Sequence, residues 1–443
     1  MLDIRKIESP RSTKTLELLF LIWLLTLPFV AMIGSVSIGF LTLYPNLIFT
    51  GILFVMVIGS FRSWKRMAQL FFAFLFLWAV YAICYPLISD IGFNDDWKID
   101  VRTLLLQWSF AGVLFGTYSR FGHTLFVKLL KSGVIYFLGI LLVAGIFEYY
   151  TGIHIAGRYT DKLLEQGVVD YNFYAPIFIH DNSNDYLVYL LGISVLFLGL
   201  LKEDLANQWK SVALLSLGFI FAKTASSRIA IFVFAALIII QLVIILVQHI
   251  RKQGKLDLVM LSVGAVLFCV LILTNTMFTG TKFSTGDSTT SGEYVSFPTT
   301  KPFEGQSSVD VRYHLTLNAI DFIKEQPILG IGPGQFRQRH ATYDVNYPTD
   351  TVVGPHNFIL ELITQYGIFG WTYLLLLASI FIQQIRTFLR ERKNSWMLFI
   401  LPVFGLISFL PSSFLYMDLN WFVVPILLLL SSQPLITDTV EDE

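Results

Sequence analysis

Long apolar runs separated by short polar or charged turns dominate this chain. A helix needs about 20 apolar residues to cross a hydrocarbon core of about 30 Å. The runs therefore predict an all-α integral membrane protein with about twelve transmembrane helices. The predicted spans are 16–33, 41–60, 67–88, 101–119, 132–150, 184–201, 210–225, 228–248, 258–278, 357–385, 396–412 and 420–433.

Composition excludes the soluble classes of protein. Of the 443 residues, 55% are hydrophobic and 14% are charged, against about 25% charged in an average soluble chain. A soluble enzyme or a disordered scaffold cannot carry that much apolar surface. The formal net charge is zero, so we expect no nucleic-acid partner. Cys84 and Cys269 both lie inside apolar runs and predict neither a disulfide framework nor a metal site.

The basic residues orient the predicted helices. With a cytoplasmic N-terminus, 19 of the 31 Lys and Arg residues fall in cytoplasmic segments, as the positive-inside rule requires. The first basic residues run straight into a helix without a small-residue cleavage site, which is typical of a retained helix. Both termini are therefore predicted to be cytoplasmic.

This orientation divides the chain into four parts. Residues 1–278 hold helices one to nine, with a shorter outer loop near 151–183. Residues 279–356 form a large outer loop, residues 357–433 hold the last three helices, and residues 434–443 form a cytoplasmic tail. Loops as long as the outer two are uncommon unless they are functional.

The large outer loop contains a predicted amphipathic helix. Its apolar residues recur at helical spacing, at Val311, Leu315, Ala319, Phe322 and Ile323. Pro327 ends the helix, and the run Gly330-Ile331-Gly332-Pro333-Gly334 can only form a tight loop. The sequence assigns no role to the Ser/Thr-rich stretch 283–300.

A histidine marks the point where this loop re-enters the membrane. His356 and Asn357 are followed, after nine residues, by Gly367-Ile368-Phe369-Gly370. His356 could act as a general base because its ordinary pKa lies near neutral pH, and Asn357 could orient it or cap the helix. Gly367 and Gly370 would share one helix face and allow close approach of another helix. The alternative is a capping pair followed by an ordinary packing motif.

Cations on the outer side are the second candidate feature. Arg228 follows Ser226 and Ser227 at the outer start of a span, where both the helix dipole and the positive-inside bias oppose a cation. A bound anion would offset both costs, and Lys223 is close enough in sequence to contribute. The alternative is snorkelling to lipid headgroups. Arg312, on the polar side of the amphipathic helix, is a further candidate that a solvated surface position also explains.

A polar turn before the sixth span is a weaker candidate. Asn182, Asn184 and Asp185 are natural turn and N-cap residues, and their density of donors and acceptors would also suit a sugar.

Together these motifs resemble the O-antigen ligase and polymerase superfamily of bacterial membrane glycosyltransferases. The pattern of His-Asn, nine residues and Gly-x-x-Gly at 356–370 is similar to the O-antigen ligase signature. The stretch from Arg312 to Phe336 is similar to the segment that precedes it in the superfamily. Ser227-Arg228 and residues 182–185 fall where the family tends to carry an arginine and an Asn-rich turn.

The resemblance implies a metal-independent glycosyltransferase without a cofactor, on the periplasmic face of the bacterial inner membrane. Its donor would be a glycan on undecaprenyl diphosphate. Its acceptor would be lipid A-core for a ligase, or another lipid-linked repeat for an O-antigen or exopolysaccharide polymerase. His356 would be the base, and Arg228, Arg312 and Lys223 would bind the diphosphate. The His-Asn motif favours the ligase and leaves the polymerase open.

Two other classes of membrane protein compete with this interpretation. A polysaccharide flippase or other transporter would carry charged residues in mid-span and internal repeats, whereas the charges here collect outside the spans. A scaffold would leave Arg228 and His356 without a purpose. The sequence therefore favours an enzyme.

Overall fold

The computed structural model describes most of the chain. The described residues are 10–27, 36–38, 41–43, 45–88, 93–154, 175–178, 183–200, 205–253, 308–342, 344–349, 354–391, 397–411 and 413–430. The predicted ninth span at 258–278, the Ser/Thr-rich stretch 283–300 and the predicted tail at 434–443 lie outside them.

Apart from connecting loops, one 3₁₀ turn at Phe61–Ser63 and one short ribbon, the described residues form α-helices. The helices are α1 Pro10–Thr26, α2 Pro45–Ile58, α3 Arg66–Ile88, α4 Asp95–Thr151, α5 Ser183–Leu200, α6 Leu205–Thr224, α7 Arg228–Gln253, α8 Ser308–Glu325, α9 Gln335–Ala341, α10 Phe358–Tyr366, α11 Ile368–Glu391, α12 Met397–Ile407 and α13 Asp418–Leu430. The ribbon pairs β1 Val36–Ile38 with β2 Leu41–Leu43 in antiparallel register, with Val36 opposite Leu43.

Five of the described helices are long and apolar enough to cross a membrane. They lie at Arg66–Ile88, Asp95–Thr151, Ser183–Leu200, Arg228–Leu246 and Ile368–Leu389. Shorter apolar helices occupy Leu47–Ile58, Met397–Ile407 and Leu419–Leu430. The structure thus bears out a helical protein with several apolar spans, while the predicted number of twelve stays a prediction.

Helix α4 is the centre of the helical assembly. It packs against α1, α2, α3, α5 and α13. Asn94 caps its start by accepting a hydrogen bond from the backbone N–H of Trp97 at 2.7 Å. Its 57 residues contain one break at Gly122, whose φ of 71° and ψ of 174° are not helical. The sequence predicted two spans here, at 101–119 and 132–150, with a connecting segment between them. In the structure that segment is helical except at Gly122.

A small subdomain, named the outer subdomain because its sequence belongs to the predicted outer loop, follows the undescribed segment. The predicted amphipathic helix is α8, and its apolar face forms a cluster with the glycine-rich loop and α9. The members of that cluster are Val311, Leu315, Ala319, Phe322, Ile331 and Phe336. The subdomain packs on α10, which connects it to the membrane helices.

The predicted span 357–385 is two helices rather than one. Helix α10 ends at Tyr366, Gly367 adopts a φ of 50° and a ψ of −116°, and α11 begins at Ile368. A β-carbon on Gly370 would touch the backbone of Leu362, so the two helices fold back on each other. An uninterrupted helix would hold residues eight apart about 12 Å apart along its axis.

Candidate functional site

His356 lies in the junction between the outer subdomain and α10. Its φ is 50°, a left-handed conformation that is uncommon for a residue with a side chain. Strained backbone of this kind persists only where the surroundings hold it, and it is concentrated at functional sites. The imidazole ring is half-buried.

One ring nitrogen of His356 has no hydrogen-bond partner among the described residues. The backbone of Pro411 forms a hydrogen bond with the ring, and proline can only accept such a bond because it has no N–H. The buried Nδ1 atom makes no hydrogen bond to any described residue. A buried polar atom without a partner costs free energy, and an incoming hydroxyl group would satisfy it.

Arg312 is electrostatically coupled to His356. Burial and the positive charge of Arg312 lower the pKa of His356 to about 4, and the bond to Pro411 opposes this shift. The imidazole is therefore neutral at physiological pH and holds a lone pair. The Arg312 side chain is exposed and forms no ion pair with any described carboxylate. The structure thus brings together two of the residues that the sequence singled out.

Asn357 caps α10. Its Oδ1 atom accepts hydrogen bonds from the backbone N–H groups of Ile359 and Leu360, at 3.1 and 3.2 Å. Both bonds are of the helix-capping kind, so the capping alternative describes what this side chain does. Asn357 directly follows His356 in the chain, and a catalytic role for Asn357 stays a prediction.

Gly367 and Gly370 do not present one helix face to another helix. A β-carbon on Gly367 would touch the backbone of Ile328, which belongs to the turn before the glycine-rich loop. The N–H of Ile368 donates to the carbonyl of Ile328 at 2.7 Å. The close approach that the sequence predicted is real, but its partners are a loop and the preceding helix.

The glycine-rich loop is fixed to the end of α10 and to α3. The N–H groups of Ile331 and Gly332 donate to the carbonyls of Thr364 and Gln365, at 2.8 and 3.0 Å. From α3, the hydroxyl of Tyr85 donates to the carbonyl of Gly330 at 3.0 Å. The outer subdomain is therefore joined firmly to the membrane helices next to His356.

Sequence reasoning missed a fully buried glutamate one turn beyond His356. The carboxylate of Glu361 accepts hydrogen bonds from the hydroxyl of Ser413 and from the N–H of Leu415, the latter at 3.3 Å. Both donors lie in the segment between α12 and α13. The signal was available, because an ionisable residue inside an apolar run is by default a functional candidate.

Asp100 is a second missed acid, and it lies at the start of α4 with no exposed surface. Its Oδ2 atom accepts hydrogen bonds from the N–H of Gly334 at 2.7 Å and from the hydroxyl of Tyr366 at 2.6 Å. Its Oδ1 atom accepts one from the hydroxyl of Tyr416. One carboxylate therefore joins α4, the glycine-rich loop, α10 and the segment before α13.

Lys223 and Arg228 flank the tight turn between α6 and α7. Ser226 in that turn has a φ of 54°, and its N–H donates to the carbonyl of Lys223 at 3.0 Å. Both cationic side chains are exposed, and neither forms an ion pair with a described residue. The buried hydroxyl of Ser227 has no hydrogen-bond partner among the described residues. No hydrogen bond or ion pair within the described ranges joins this turn to His356.

The remaining polar candidates occupy structural positions. Asn184 and Asp185 form the first turn of α5, and Asn182 lies outside the described residues. In the outer subdomain, Arg339 forms a bidentate pair with Glu325 at 2.7 and 2.9 Å. Burial lowers the pKa of His340 to about 4. Arg339, Glu325 and His340 all lie within the outer subdomain and contribute to its packing.

An apolar cleft begins at Phe358, two residues beyond His356 in the chain. It has a volume of about 270 Å³ and lies between α11, α12 and α13. Phe358 and Phe414 line it near His356 and Pro411, and Phe381 and Leu401 line it further along the helices. The buried Nδ2 atom of Asn420, another lining residue, has no hydrogen-bond partner in the part of the chain described. The cleft could hold a slender apolar chain whose head lies near His356.

Comparison with known families agrees with the resemblance seen in the sequence. Residues 211–375 match the family described as O-antigen ligase. The match contains Lys223, Arg228, Arg312, His356 and Gly370, whereas the polar turn at 182–185, Asp100 and the segment 411–416 lie outside it. No curated protein matches the chain. The predicted relation to the O-antigen ligase and polymerase superfamily is therefore confirmed over this segment.

Proposed function

We propose that the protein transfers a glycan from undecaprenyl diphosphate to a sugar hydroxyl, because residues 211–375 match the family described as O-antigen ligase. The reaction takes place on the periplasmic face of the bacterial inner membrane. The acceptor is lipid A-core, as the ligase family suggests. A polymerase would differ only in the acceptor, which would be another lipid-linked repeat.

The unpartnered Nδ1 atom of His356 carries this proposal. The acceptor hydroxyl donates its proton to Nδ1 as its oxygen attacks the anomeric carbon of the donor. The bond between that carbon and the diphosphate oxygen breaks, and undecaprenyl diphosphate leaves. Direct displacement inverts the configuration at the anomeric carbon. General-base assistance of this kind is typically worth about 10²–10⁴-fold in rate.

The exposed arginines support a diphosphate leaving group. Charge develops on the diphosphate as the bond breaks, and fixed cations stabilise it there. Arg312 is coupled to His356, so it would contact the phosphate next to the reacting carbon. Arg228 and Lys223 would contact the distal part of the same group. The guanidinium fork suits bidentate phosphate binding.

The apolar cleft supports a lipid-linked donor. Helix α11 rises about 1.5 Å per residue, so its lining from Leu374 to Phe381 covers about 10 Å of a chain. A lipid tail in this cleft would enter the bilayer while its diphosphate stayed beside Arg312. A water-soluble nucleotide sugar would leave the cleft unused.

The test is a single-turnover assay with purified protein, a synthetic undecaprenyl-diphosphate glycan and lipid A-core. We expect His356→Ala to lower the rate by about 10²–10⁴-fold while donor binding and assembly in the membrane persist. The matched control is His123→Gln, because His123 is also a half-buried histidine and lies beside the break in α4. A folded His356→Ala protein with the wild-type rate would remove the histidine from the chemistry.

Two further arms of the assay test the acceptor and metal independence. Lipid-linked repeats replace lipid A-core in one arm, and faster transfer to them would make the protein a polymerase. EDTA is added in another arm, and inhibition that Mg²⁺ reverses would mean that a metal ion stabilises the leaving group.

A further inference from the structure

The proposed reaction assigns no role to Glu361. This glutamate is one of the most completely buried acids among the described residues. Burying a carboxylate is costly unless hydrogen bonds satisfy it. Glu361 is satisfied by Ser413 and by the backbone N–H groups of Phe414 and Leu415. No described cation forms an ion pair with it. Its bonds all go to one segment, residues 413–415.

That segment also serves His356. Pro411 accepts the hydrogen bond from the imidazole ring and lies two residues before Ser413. The ring of Phe414 also packs against that of Phe358, two residues beyond His356, with 5.1 Å between the ring centroids. On the opposite side, His356 and Glu361 lie five residues apart at the start of α10. The two chain segments are therefore joined at two neighbouring points, His356 to Pro411 and Glu361 to residues 413–415.

A third connection closes the far end of the same segment. The hydroxyl of Tyr416 donates to Asp100, which also accepts from Tyr366 at the end of α10. The described residues of this segment are thus connected to both ends of α10, at His356 directly and at Tyr366 through Asp100. Because Asp100 binds Gly334 as well, the glycine-rich loop shares the same anchor.

We propose that Glu361 is a positioning residue that acts through His356. By holding residues 413–415, it sets the Pro411 carbonyl where it accepts from Nε2–H of the imidazole. With the proton on Nε2, the lone pair lies on Nδ1 and faces the acceptor hydroxyl. This inference rests on the proposed function, since it assigns the free nitrogen to the base.

A double-mutant cycle tests the proposal in the single-turnover assay. We expect Glu361→Gln to lower kcat by about 10²-fold, because misplacing a catalytic group by about 1 Å can cost that much, while KM stays within about 2-fold. In the His356→Ala background, Glu361→Gln should add no further loss, since a positioning residue cannot act through an absent ring. An equal loss in both backgrounds would overturn the proposal and leave Glu361 a structural residue.

A second test variant and a control variant complete the experiment. Ser413→Ala removes one donor to Glu361 and leaves the backbone donors, so it should fold if Glu361→Gln does not accumulate. It should show a smaller loss of kcat with the same absence of additivity. Glu325→Gln, which alters a surface ion pair of the outer subdomain, is the control and should leave both backgrounds unchanged. A wild-type rate for His356→Ala would refute the base role of the histidine, on which this proposal rests, whereas additive losses would refute only the positioning role.

Discussion

At the scale of single residues, the proposed function makes the environment of His356 depend on donor binding. Burial and the charge of Arg312 hold the pKa of the free imidazole at about 4, below its ordinary value of 6.5. A diphosphate bound at Arg312 would neutralise the like charge that opposes protonation. The pKa of His356 should therefore rise on donor binding, which makes the ring a stronger base when it is needed.

This predicts different acid limits for the two kinetic parameters. The neutral imidazole is the active form, so each rate is lost as pH falls through the relevant pKa. The profile of kcat/KM reports the free enzyme and kcat reports the complex. We expect kcat/KM to decline only near pH 4 and kcat to decline at a higher pH. Coincident limits, or a kcat/KM limit near 6.5, would contradict the coupling to Arg312.

Arg312 itself gives a second prediction. Arg312→Ala should abolish transfer while expression stays near normal, because its side chain is exposed and unpaired within the described structure. Arg312→Lys should recover only part of the rate, since a point charge replaces a bidentate fork. Arg102→Ala changes an exposed arginine of α4 and serves as the control. Full activity of the lysine variant would argue against bidentate binding.

The site candidates that the sequence predicted differ in kind from the buried acids that it missed. His356 and Arg312 were found because a histidine and an arginine at a membrane boundary conflict with simple burial or orientation rules. Glu361 was overlooked because it stands alone in an apolar run. Asp100 was overlooked because Lys98 and Arg102 flank it, which makes it resemble a solvated residue before the predicted span at 101–119. Their partners, Tyr416 and Ser413, lie far away in sequence, and no spacing rule connects them.

At the scale of elements, the break at Gly367 organises the site. The backbone there lies close to the mirror image of a type II turn, which is accessible chiefly to glycine. It turns α11 back on α10 and lets Ile328 bond to Ile368. Periodicity could predict helix on both sides of this point, but not the reversal, because a Gly-x-x-Gly spacing also fits an uninterrupted helix.

Gly367→Ala should therefore destabilise the protein. The strained φ alone costs about 1–3 kcal/mol, and the added methyl group would collide with Ile328. The measurement is the free energy of unfolding in detergent micelles. Gly139→Ala is the control, because a β-carbon at that position of α4 meets nothing and helix propensity favours alanine. Equal stability of the Gly367→Ala variant and wild type would show that the reversal imposes no strain.

At the scale of the whole molecule, the charge pattern predicts how the chain lies in the membrane. Apolar runs and basic turns identified the helical class and most helix positions, because both follow from the bilayer itself. The pattern could not reveal the subdomain's attachment to α3 and α10, which depends on loop hydrogen bonds between Gly330 or Ile331 and distant residues.

Cysteine labelling tests the orientation. In a variant lacking Cys84 and Cys269, Gly286→Cys should react with an impermeant reagent in intact cells, because 279–356 is predicted to be outside. Ser395→Cys, in a predicted cytoplasmic turn, is the control and should react only after the membrane is made permeable. The reverse labelling pattern would place the site in the cytoplasm and refute a periplasmic reaction.

The hydrogen bond between His356 and Pro411 has a consequence for biosynthesis. The family match ends at residue 375, yet the ring of His356 acquires its carbonyl partner only from a segment made later. A nascent chain inserted as far as α11 would hold the histidine and the arginines without the groups that orient the base. Under the proposed function, transfer would not begin until α12 and α13 are inserted, and residues 211–375 expressed alone would be inactive.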